Sequence, residues 1–165
     1  RSIETAKPTA EQQGLTVCPL SGFNEISFGV LEGRLRHQLD DDSQNLLDRW
    51  AKDKTHFRIP NGENLLDVRR RATTDLLRVL RESPGDSILI VGHRHTNLVI
   101  LSALLGWDLD SIKDTPIQSK YVYELQLGHT PSIYTICLTG EARGRRMEGF
   151  FSGDAVMSSC LNRSL

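Results

Sequence analysis

The chain has 165 residues, 38% of them hydrophobic, which suits one compact domain rather than two small ones. Its 20 Lys and Arg against 21 Asp and Glu leave a formal net charge of -1, so general attraction to nucleic acid or an anionic membrane is excluded and any anion binding must be local. No apolar run approaches the roughly 20 residues of a membrane span and no signal-peptide pattern opens the chain, so a soluble protein without membrane or nucleic-acid partners is expected.

Residues 1–13 read as a helix stopped at Gly14, with Pro8 marking a kink or a first turn. A short strand is expected over residues 15–17. Cys18 follows; with Cys137 and Cys160 it makes an odd set without CxxC spacing, which favours reduced thiols and a cytoplasmic setting. Residues 19–33 interleave Phe23, Ile26, Phe28 and Leu31 with polar residues and Gly29, too apolar to float free and too glycine-rich to be regular, so this stretch should pack over something.

Asp40, Asp41 and Asp42 precede Leu46, Leu47 and Trp50 at helical spacing, and acids in that place favour the helix dipole; a metal site there is the weaker reading. Residues 59–63 make a turn, and Asn64 caps a helix over residues 65–82 whose core stripe is Leu65, Val68, Ala72, Leu76, Val79 and Leu80. Of Arg69, Arg70 and Arg71, which largely face outward, one could enter a cleft. After a turn over residues 83–86, the apolar run Ile88, Leu89, Ile90, Val91 reads as a strand buried on both faces. Gly92 ends it, and a helix opens after His93 and closes at Gly106. The mixed stretch 107–118 has short-helix character. Residues 121–127 and 133–138 alternate across a turn and form a hairpin at the sheet edge. From Gly140 onward there is little to bury. The division expected is one domain over residues 1–151 and a flexible tail over 152–165.

A strand that ends in a polar turn and a helix is the place where open α/β sheets bind anions, because free amides and the helix dipole converge there. His93 stands at that point and is the strongest candidate for chemistry; its structural alternative is a helix-capping histidine. His95 forms a His-x-His pair with it, but without a third ligand at supporting spacing, so no metal is assigned. Arg94 could meet an anion through its amide, its guanidinium, or neither. Glu25, among apolar neighbours, has surroundings that raise a carboxyl pKa and suit a general acid; the alternative is a solvated loop carboxylate. Glu63 lines the cleft or ties down its turn.

Four segments in order resemble the histidine phosphatase superfamily, the phosphoglycerate-mutase-like group, over nearly the whole chain. Residues 1–6, Arg-Ser-Ile-Glu-Thr-Ala, are similar to the end of the family's S-x-x-R-A-x-x-T-A segment, which implies that Arg1 binds phosphate. Phe23, Asn24 and Glu25, through Gly29 to Glu32 and Gly33, resemble L-x-E-x-x-x-G-x-x-E-G, whose first glutamate is the usual proton donor. Pro60 to Glu63 resembles P-x-G-E, and Val91, Gly92, His93 resembles the V-S-H of the second catalytic histidine. The resemblance implies an α/β three-layer sandwich with a mostly parallel central sheet flanked by helices.

It also implies phosphoryl transfer through a phosphohistidine, with His93 and Arg1 on the phosphoryl oxygens, Glu25 protonating the leaving group, no cofactor, and a small phosphorylated metabolite as partner. The family's nucleophile belongs to an Arg-His-Gly motif at the end of a first strand, and no such motif occurs in these 165 residues. A chain that begins part-way through a motif is expected to be truncated. Arg94 and His95 stand where the family commonly has small residues. A phosphatase is the first reading; a phosphoglycerate mutase and a non-catalytic phosphate-binding domain are the alternatives.

Overall fold

The computed structural model describes residues 1–83, 85, 87–128 and 131–138. They fall into two compact units, residues 1–115 and the part of the chain from Pro116 onward. The first holds five helices: α1 (Ser2–Gln12), α2 (Asp41–Lys52), α3 (Leu65–Glu82), α4 (Arg94–Leu105) and the single turn α5 (Leu109–Ile112). Short 3₁₀ turns at Ser21–Phe23, Gly29–Leu31 and Arg36–Gln38 punctuate the long connection between α1 and α2.

The helix ends obey local chemistry. Asp40 caps α2, its carboxylate accepting the Ser43 N–H at 2.8 Å, so the acid run serves the helix start. At α3, Asn64 and Asp67 form a reciprocal capping box: the Asn64 side chain accepts the Asp67 N–H at 2.9 Å and the Asp67 carboxylate accepts the Asn64 N–H at 3.1 Å. Gly106 closes α4 in the left-handed region at φ 67°. Pro8 lies inside α1, which buries none of its side chains.

The core of the first unit is built by α2, α3, α4 and the loop before them. Leu65, Val68, Ala72 and Leu76 of α3 meet Val99 and Ile100 of α4, with Ile26, Leu31, Trp50, Ile59 and Leu109 completing the cluster. The apolar loop expected to pack over something thus supplies Ile26 and Leu31. Gly29 and Gly62 let that loop cross the turn before α3: Gly29 has φ +55°, and a Cβ there would collide with the Pro60 carbonyl and the Gly62 amide.

The second unit contains an antiparallel hairpin, β1 (Tyr121–Gln126) and β2 (Ser132–Cys137), with Tyr121 opposite Cys137 and Gln126 opposite Ser132. This is the only sheet among the described residues. The expected strands over residues 15–17 and 88–91 form no ladder among the described residues, and the expected burial of 88–91 is not found: Ile88 is 37% exposed and Leu89 59%. The reason is physical: a parallel strand is buried only when neighbours take up its amides and carbonyls on both sides, and none of the described residues does so. The tail expected over 152–165, and residues 84 and 86 of the expected turn, lie outside the described residues. No described helix is long and apolar enough to cross a membrane.

Candidate active site

The site assembles where two helices begin. His93 is the N-cap residue of α4 in extended conformation, and its side chain makes no capping bond. The ring is turned instead to α1, with Nε2 2.9 Å from the hydroxyl of Ser2, the first residue of that helix. The amino ends of α1 and α4 therefore meet at one imidazole. Each end carries amides without intrahelical partners and the positive pole of a helix dipole, the arrangement that attracts an anion. A Cβ on Gly92, just before it, would meet the end of the Asn97 side chain, which would have to turn aside.

Glu25 reaches the same end of α4. Its Oε2 lies 3.5 Å from the His95 amide nitrogen and 3.6 Å from His95 Nδ1, while its Oε1 accepts the Ile26 N–H at 2.9 Å. The neighbouring Asn24 carbonyl accepts from the Thr96 hydroxyl at 2.7 Å, which ties the loop to the first turn of α4. Burial pushes the Glu25 pKa up, but the His95 side chain and the Ile26 N–H outweigh it and bring the carboxyl from 4.5 down to about 2. The expectation that apolar surroundings raise this pKa is corrected: donors and a histidine, rather than the nearby Phe and Ile side chains, face the carboxylate.

Arg71 is the arginine that turns inward. Its guanidinium makes a two-point ion pair with Glu63 at 2.8 and 2.9 Å and donates to the carbonyls of Gly22, Asn24 and Glu25 at 2.7, 2.8 and 3.1 Å. Glu63 also accepts the Ser27 N–H at 3.0 Å, and Arg71 holds its carboxyl below the ordinary range. Glu63 thus ties its turn to the loop that carries Glu25. Sequence reading left open which of three arginines faces inward; the signal was Arg71 standing beside Ala72 and three residues past Val68, on the flank of the buried stripe of α3.

The other candidates sit further out. Arg1 is exposed at the head of α1, next in sequence to the serine that touches His93. Arg94 is exposed, and its charge acts on Asp114. His95 is largely buried, its ring edge-on to Trp50 at 5.4 Å and to Phe28 at 6.3 Å. The contact between Ser2 and His93 was not anticipated; only folding brings positions 91 residues apart together. Elsewhere, Asp53, His56 and Asp110 each place one possible ligand atom within 4.8 Å of the others at the surface, but Lys113 Nζ lies 3.5 Å from Asp110 and supplies positive charge there.

Comparison with known proteins places the chain in a family. The profile of the "Histidine phosphatase superfamily (branch 1)" matches residues 1–133. Proteins named "Probable phosphoglycerate mutase GpmB" from Yersinia pestis and Yersinia pseudotuberculosis are 31% identical over 106 residues, 64% of this chain and 49% of theirs. The chain thus spans about half the length of the curated relatives it matches. Among solved structures, the alpha-ribazole phosphatase from Shigella flexneri superposes with a TM-score of 0.70 at 21% identity, over 82% of this chain and 68% of that one. "Mycobacterial hydrolase 1" gives 0.63 at 20% identity, over 89% and 70%. At these identities the structural likeness speaks for the fold.

Proposed function

Because this chain belongs to the histidine phosphatase superfamily, we propose that it carries the second-histidine half of a phosphohistidine site, and that the whole protein hydrolyses small phosphomonoesters. The observation that supports this reading is the meeting of two helix amino ends at His93, with Glu25 against the first turn of the same α4. In the reaction a nucleophilic histidine attacks phosphorus in line and the bond to the leaving oxygen breaks. His93, Arg1 and the amides at the start of α4, Arg94's among them, stabilise the charge on the equatorial oxygens. Glu25 gives the leaving oxygen a proton, and water then attacks the phosphohistidine to release phosphate. Glu25 starts as a carboxylate; a phosphoryl dianion arriving at α4 raises its proton affinity by like-charge repulsion, so it takes up a proton from solvent and passes that proton to the leaving oxygen.

The nucleophile is not among the histidines placed here: His37 and His56 are exposed, and His56 bonds Asp53 at 3.1 Å. In the complete fold, we assign residues 88–91 to a central parallel sheet of a three-layer sandwich, next to the strand that bears the nucleophile. The apolar run with Ile88 and Leu89 exposed supports that assignment. Inorganic phosphate titrated into this chain and followed by ³¹P NMR tests the half-site. His93→Ala should weaken binding about tenfold, the value of one charge-assisted hydrogen bond; equal affinity in the two proteins overturns the reading. Since the 165 residues hold no Arg-His-Gly motif, a second reading is a phosphate-binding domain without turnover. Acid-labile phosphate on the protein, and p-nitrophenyl phosphate hydrolysis lost in His93→Ala, favour the enzyme. Transfer between phosphoglycerate positions favours a mutase.

A further inference from the structure

The residue that faces Glu25 most directly has no part in the reaction just described. His95 is the second residue of α4, with a side chain 16% exposed. Trp50 and Phe28 stand edge-on to its ring at interplanar angles of 79° and 74°, and they stand edge-on to each other at 4.9 Å, so the ring plane is fixed by an aromatic wall. Its Nδ1 is buried without a hydrogen-bond partner among the described residues, and Glu25 Oε2 lies 3.6 Å from it. A buried ring nitrogen that stands beside a carboxylate in place of any other partner is a group suited to hold it.

The remaining charges around the pair are already committed. From α3, Arg71 binds Glu63 and three loop carbonyls, among them that of Glu25 itself. From the segment after α2, Lys54 pairs with Asp114 and lies 5.9 Å from the Trp50 ring. From the start of α4, His93 bonds Ser2. His95 is therefore the titratable side chain left to govern Glu25.

We propose that His95 is a positioning residue that holds Glu25 at the amino end of α4, its ring set beside the carboxylate by the aromatic wall, for the proton-donor role on which this inference rests. The two remaining holds on the carboxylate are main-chain amides, those of Ile26 and His95. Replacing the ring therefore removes one hold and leaves the others in place.

The test is a ¹³C NMR titration of the Glu25 carboxyl in the wild-type chain, His95→Gln and His95→Phe. The Glu25 midpoint should rise by about one unit or more in His95→Phe and by less in His95→Gln. Glu25 midpoints unmoved in both His95 variants overturn the proposal. Should Trp50 fluorescence show His95→Phe to be misfolded, His95→Gln decides. Phosphate titration of the same samples separates the two readings: wild-type protein that binds no phosphate refutes the phosphate site, whereas normal phosphate binding with an unmoved Glu25 refutes the pair alone.

Discussion

Glu25 shows how strongly two or three contacts direct a single side chain. Its folded-state pKa of about 2 lies below the ordinary 4.5. The carboxylate's stabilising contribution is therefore complete above pH 4.5 and disappears as the pH falls toward 2. Discounted for the solvent that still reaches it, that contribution is on the order of 1 kcal/mol. Urea denaturation at pH 7 and pH 3 should accordingly show a larger loss of stability in wild-type protein than in Glu25→Gln, and parallel losses would refute the assignment. Arg71 is a larger case. It is 24% exposed and serves Glu63 and three carbonyls, so Arg71→Leu leaves a charge and several acceptors short of donors. About 2–4 kcal/mol should be lost. Thermal unfolding would read this as a lowered Tm, and Arg71→Lys should recover little, since an ammonium cannot make the two-point pair.

At the level of elements, the helix starts carry both stability and chemistry. The capping box of α3 uses both side chains of the Asn64 and Asp67 pair, and Asn64 Nδ2 also donates to the His56 carbonyl at 2.9 Å. Asn64→Ala should cost about 1–2 kcal/mol in chemical denaturation, above the usual value for a cap because a second bond goes with it. The amino end of α4 is different: its N-cap, His93, gives its ring to Ser2 rather than to the helix, and the first-turn amide of His95 faces Glu25 instead. The crossing of the loop over the turn before α3 rests on Gly29, and Gly29→Ala must move the Pro60 carbonyl or the loop itself. A loss of about 2 kcal/mol or more, with weaker phosphate binding because Glu25 rides on that loop, is the outcome expected from strain at a left-handed glycine.

For the molecule, the contrast lies between a well-knit helical core and an extended apolar segment beside it. Residues 88–91 lead directly into His93 yet have no ladder partners among the described residues, whereas α3 and α4 pack against each other through Val68, Ala72, Val99 and Ile100. Amide exchange should be fast over 88–91 and slow over the middle of α3 and α4. Slow exchange over 88–91 would mean that these amides are bonded, contrary to the geometry described.

What the sequence determined by itself was everything written in local code: α1 to its glycine stop, the acid-capped α2, the Asn64 start and apolar stripe of α3, the opening of α4 at His93 and the hairpin, because caps, periodicity and turn residues act within a few positions of each other. It also placed Glu25 and His93 as candidates, through the resemblance of their segments to one family. Tertiary structure decided the rest. A strand is a strand only beside another, so the apolar pattern of 88–91 could not say whether neighbours would be there. The charge state of Glu25 depended on His95, 70 positions away, and the inward turn of Arg71 on carbonyls nearly 50 positions earlier. The meeting of α1 with α4 at His93 followed from packing, which no local spacing encodes.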